Sequence, residues 1–72
     1  MYIYKSRVGT FTIRMTTEGY GLFIGSELLG NYQSAIQAAD EVYTHTTGYD
    51  SWDDLDGEID APTDISAWEL IR

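Results

Sequence analysis

Cysteine is absent from the 72-residue chain, proline and histidine occur once each, and lysine and arginine together number four. Each scarcity removes a class of chemistry. Without cysteine there are no disulfides, thiolate metal sites or thiol nucleophiles, and the chain suits a reducing cytoplasm. One histidine and no metal-binding motif leave most enzyme machinery without its parts, so no catalytic residue, no metal site and no cofactor is expected. No apolar run approaches the ~18 residues of a membrane-spanning helix. Met1-Tyr2-Ile3-Tyr4-Lys5 lacks the basic start and apolar stretch of a secretion signal, and no membrane partner is expected. Four basic residues also make nucleic acid a poor partner, because phosphate backbones are held by lysine and arginine releasing counterions.

What is present points to a folded domain. Hydrophobic residues make up 43% of the chain and aromatics 14%, too rich for disorder even at a net charge of −8. At this length one small core is the whole supply, since such a chain buries only about 60% of its unfolded surface. The charge sits in one half. Residues 1–39 hold three basic residues against two acids, while residues 40–72 hold ten acids against one arginine.

Between Gly9 and Thr16 the apolar residues Phe11, Ile13 and Met15 alternate with Thr10, Thr12, Arg14 and Thr16, the pattern of a half-buried strand. Thr17-Glu18-Gly19 supplies a turn, and Tyr20, Leu22 and Ile24 then share a face, so the pair reads as a hairpin. After Gly25-Ser26-Glu27 a third antiparallel strand covers Leu28 to Tyr32, and Tyr2-Ile3-Tyr4 can pair at an edge. The period then changes. Ser34 and Gln37 form a capping box, so a helix is predicted over 35–47, with Gly48 as its left-handed C-cap. Its apolar stripe is Ile36, Ala39, Val42, Tyr43 and Thr46, and it should cover the face made by Phe11, Ile13, Met15, Tyr20, Leu22 and Ile24. Residues 49–72 read as an acidic segment with apolar anchors at Trp52, Leu55, Ile59, Ile65 and Trp68, ending in a short helical turn near Asp64–Leu70. Anchors of this size should turn inward and the carboxylates outward, with at least one indole mostly buried. The expected fold is therefore α+β: a three-stranded antiparallel sheet packed by one α-helix over residues 1–48, with the acidic C-terminal segment 49–72 folded back on the same domain.

The run Leu29-Gly30-Asn31-Tyr32-Gln33-Ser34-Ala35-Ile36-Gln37-Ala38-Ala39 resembles the strand-to-helix junction of AP2 DNA-binding domains and of the arm-binding domains of tyrosine integrases. The resemblance implies their three-strand-plus-helix architecture. Members of that family lay the sheet in the major groove of duplex DNA, using arginine and tryptophan on its exposed face. Here the corresponding exposed positions are Thr10, Thr12, Arg14, Thr16, Gly21 and Phe23, with one arginine and no tryptophan, so the DNA binding does not carry over. The Thr47-Gly48-Tyr49-Asp50-Ser51-Trp52-Asp53 segment with Pro62 and Trp68 also resembles a group of small bacterial proteins, which implies no activity.

Asp54-Leu55-Asp56-Gly57-Glu58-Ile59-Asp60 places oxygens around a glycine as a calcium loop does, but the register that sets Gly57 at the sixth position puts Trp52 first and Thr63 twelfth, and neither is a carboxylate. His45 follows Glu41 by one helical turn and reads as a surface histidine near a helix C-terminus. Tyr49, Trp52 and Trp68 either pack in the core or, beside acids, line a groove for a cationic partner. The candidate protein-contact set is Tyr49, Trp52, Asp53, Asp54, Asp56 and Trp68. The expected function is that of a small non-catalytic cytoplasmic protein acting through protein contacts of its acidic half on a basic partner. A DNA-mimic protein, with carboxylates spaced like phosphates, is the alternative.

Overall fold

A computed structural model describes residues 1–71. The chain runs through β1 (Tyr2–Ser6), β2 (Gly9–Thr16), β3 (Gly19–Ile24) and β4 (Glu27–Tyr32), then α1 (Ala35–Tyr43), the single-turn α2 (Asp50–Asp53), a 3₁₀ turn at Ile65–Ala67 and β5 (Glu69–Leu70). All five strands join one antiparallel sheet in the order β4-β3-β2-β1-β5. The three-strand expectation is therefore corrected to five. β1 is a full partner of β2, with Tyr2 opposite Ile13 and Tyr4 opposite Phe11, so its two tyrosines lie on the core side. β5 is only two residues long, too short to leave a period in the sequence. It pairs Tyr2 with Leu70 and Ile3 with Glu69, and the Ile71 N–H donates to the Met1 carbonyl at 2.7 Å.

The register of the central hairpin sets Phe11 opposite Ile24 and Ile13 opposite Leu22, and all four are buried, whereas Thr12 on the other face is half-buried. Met15 departs from this face: it is 63% exposed. The pairing of Tyr2 with Ile13 leaves Met15 beyond the start of β1, so β2 has no neighbour there on that side. The opposite face also differs from expectation. Gly21 and Phe23 are buried, because the Arg14 guanidinium lies 4.2 Å from the Phe23 ring centroid and the ring itself runs over Gly21. A Cβ at Gly21 would sit 2.8 Å from Phe23 Cε1 and 2.9 Å from Thr16 Cγ2, so any larger residue there would push the Phe23 ring and the Thr16 methyl aside.

α1 starts where the capping box placed it. The Gln37 N–H donates to Ser34 Oγ at 3.1 Å, and the Gln37 side chain answers by accepting from the Gln33 N–H at 3.0 Å, one residue before the expected Ser34 amide. The face it turns to the sheet is Ala35, Ala38, Ala39 and Val42, spaced i, i+3, i+4, i+7, while Ile36 is 65% exposed and Tyr43 and Thr46 also face outward. Small alanines let the helix lie close to β2, β3 and β4.

The helix ends at Tyr43, not at Thr47, and Gly48 does not cap it. Thr44 is the C-cap, and the next residue, His45, takes the left-handed φ of 56°. The His45 N–H donates to the Val42 carbonyl at 3.2 Å and the Thr46 N–H to the Glu41 carbonyl at 3.0 Å, the bond pair of a Schellman motif. Histidine thus occupies a position that ordinarily belongs to glycine, at a backbone cost of about 1–2 kcal/mol. The gain is the ring's location. His45 stacks on Trp52 with centroids 4.5 Å apart and planes 10° from parallel.

Trp52 is fully buried, meets Phe11 edge-on at 5.3 Å, and donates its indole Nε1–H to the Val42 carbonyl at 3.0 Å. Trp68 is 5% exposed and tilts against Tyr4 at 5.6 Å. Residues from both 1–48 and 49–71 therefore fill one core, in which Ala61 also lies. If His45 holds a strained left-handed backbone, His45→Ala should be less stable in urea than His45→Gly by about 1 kcal/mol, although both lose the stack. The reverse order would contradict the strain.

Candidate functional site

The six sequence-derived contact residues do not form one surface. Trp52 and Trp68 belong to the core and offer a partner no ring face. Tyr49 is half-buried and packs against that core. Asp53 is occupied: its Oδ1 accepts from the Thr47 N–H at 3.0 Å and hydroxyl at 2.8 Å, and its Oδ2 accepts from the Gly48 N–H at 2.8 Å. This carboxylate ties the first turn of α2 to the loop leaving α1. Asp54 and Asp56 remain exposed.

His45 is corrected from a surface residue to a buried one. Its left-handed backbone carries the ring off the helix face and onto Trp52, so the expected pairing with Glu41 does not form. The Glu41 carboxylate instead accepts from the Thr46 hydroxyl at 2.7 Å. His45 Nδ1 lies 3.7 Å from Asp56 Oδ1, whose side chain is 76% exposed, and neither ring nitrogen has a hydrogen-bond partner within the described residues. The loop from Asp54 to Asp60 does not converge, and no cluster of three or more histidine or carboxylate groups able to hold a metal ion occurs among the described residues.

The acidic half therefore presents most of its carboxylates on the open surface. Asp40, Asp50, Asp54, Asp56, Glu58, Asp60, Asp64 and Glu69 are all exposed. Of these, Asp40, Asp50, Asp54, Glu58, Asp60 and Glu69 have no side-chain hydrogen bond or ion pair among the described residues. The sheet face away from α1 carries charge of both signs, since Glu69 pairs with Ile3 on it. The β1–β2 register places Lys5 opposite Thr10 and Ile3 opposite Thr12, so Lys5 and Ile3 share that face with Arg14. Burial raises the Tyr32 hydroxyl above the usual tyrosine range, and the charges of the half-buried Glu41 and Asp53 add to the rise. Burial alone does the same at Tyr4.

A raised tyrosine favours the fold while it stays protonated. The contribution of Tyr4 and Tyr32 is fully present below the unfolded tyrosine value of about 10 and is lost as pH rises through their higher folded values. Urea unfolding should show stability falling above about pH 10, and Tyr32→Phe should lessen the fall. A variant that loses stability with the wild-type slope would contradict this.

No helix of the described residues is long and apolar enough to cross a membrane. No family model matches the chain, and neither a curated protein nor a solved structure is significantly similar to it.

Proposed function

We propose that this is a small non-catalytic cytoplasmic protein that acts by binding a basic partner protein through its acidic half. One observation carries the reading: eight exposed carboxylates lie between Asp40 and Glu69, six of them with no partner among the described residues. Like charges crowded on one small domain repel each other and weaken the folded state. A basic partner relieves that repulsion and is steered to the surface by the same field. With Trp52 and Trp68 in the core, the partner meets carboxylates, with Tyr49 as a half-buried aromatic neighbour. A DNA mimic needs its charge along one long face, and here the sheet face carries Lys5 and Arg14. Protein contact is the better-supported reading.

The immobilised full chain should retain a basic protein from its native host at low salt, release it near 0.5 M salt within the screening range, and fail to retain it once Asp40, Asp50, Asp54, Glu58, Asp60 and Asp64 are changed to their amides. Retention indifferent to both salt and substitution would contradict the proposal.

A further inference from the structure

α1 and the returning tail leave a cleft between them of about 90 Å³, with Ile36, Ala39, Pro62 and Ile65 on its walls and Asp40 and Asp64 beside them. Its size decides the class of occupant. The volume is well below the several hundred Å³ of a small-molecule or cofactor pocket and suits a single extended side chain. Its chemistry decides the charge. Ile36 is 65% exposed, an apolar group that the core does not use, so the cleft has a greasy wall. The two carboxylates come from different elements, Asp40 from α1 and Asp64 from the tail, and neither pairs with a cation among the described residues.

Asp64 is also held in place. Its Oδ1 accepts from the Ser66 N–H at 2.8 Å as the cap of the 3₁₀ turn, and that bond lowers its pKa and keeps it ionised into more acidic solution. A neutral apolar group entering the cleft would strip water from both carboxylates with nothing in return, and an anion would be repelled. A long basic side chain satisfies both parts, its methylene stem lying on apolar surface and its charged end beside carboxylates.

We propose that the cleft between α1 and the tail is the docking point for a basic segment of a partner protein, receiving one lysine or arginine side chain along Ile36 and Ile65 and beside Asp40 and Asp64. The proposal rests on the acidic-half reading above and names the place where it acts. That place lies outside the contact set of Tyr49, Asp53, Asp54 and Asp56.

The test is a titration of the isotope-labelled full chain, at low salt, with a short capped peptide carrying two arginines, against the same peptide carrying two citrullines. Amide shifts should centre on Ile36–Asp40 and Thr63–Ser66 and should appear with the arginine peptide alone. Asp40→Asn with Asp64→Asn, in which the asparagine still caps the 3₁₀ turn, should weaken binding roughly fivefold or more, and Ile36→Ser should weaken it as well. Asp54→Asn with Asp56→Asn should change it less than about twofold. Shifts centred on Asp54–Asp60 would overturn the cleft and leave the acidic-half reading standing. Equal binding of the citrulline peptide would overturn the charge basis of the cleft. Absence of shifts with either peptide would remove both proposals, and shifts that grow on concentrating the protein alone would make a second copy the occupant and overturn this one.

Discussion

The indole of Trp52 is where the acidic tail and the sheet become one core. It is fully buried among residues of the sheet and α1, stacks on His45, meets Phe11 edge-on and donates its N–H to the Val42 carbonyl. That carbonyl, in the last turn of α1, also accepts from the His45 N–H, so the indole is its second donor and fixes the helix end to the core beneath it. A domain of this size has a stability on the order of 5 kcal/mol. Removing a buried tryptophan costs about 3–5 kcal/mol, so one side chain governs most of the margin. The left-handed backbone at His45 follows from the same contact, since it turns the imidazole inward over the indole.

The position of the charges follows as well. Once Trp52, Ala61 and Trp68 are committed to the core, with Leu55, Ile59 and Ile65 packed beside it, the acids interleaved with them have only solvent to face. Burying an unpaired carboxylate costs several kcal/mol, far more than the tail could recover from one apolar anchor. The protein consequently exposes the carboxylates of its C-terminal half, while Lys5 and Arg14 lie on the sheet face away from α1, where Glu69 joins them opposite Ile3. The sequence alone shows that the C-terminal half is acidic. The fold adds that the two indoles among those acids serve the core.

Legibility in the sequence followed the strength of local signals. The alternation at Phe11 and Ile13, the hairpin to Leu22 and Ile24, and the Ser34 cap each depend on neighbours a few residues away, and each is found in the structure. β5 depends on a partner some 67 positions distant, and two residues carry no period to announce it. The helix ends earlier than Gly48 suggests, because tertiary stacking holds His45 in the left-handed conformation that glycine usually takes. Period alone places Ile36, Tyr43 and Met15 in the core, yet all three are exposed. The covering face of α1 is the alanine row, and β1 stops short of Met15. The exposure of Asp54 and Asp56 is legible in the sequence; the cleft is not, because Asp40 and Asp64 come together only through packing.

Hydrogen exchange at the Trp52 indole tests most directly whether this residue binds tail, helix and sheet into one cooperative unit. If it does, the indole N–H bonded to Val42 exchanges only through global unfolding, and its protection free energy equals the unfolding free energy from urea melts of the same sample. Protection near zero, or well below the global value while the β2 and β3 amides stay protected, would mean that the tail opens on its own and would contradict the central place given to Trp52.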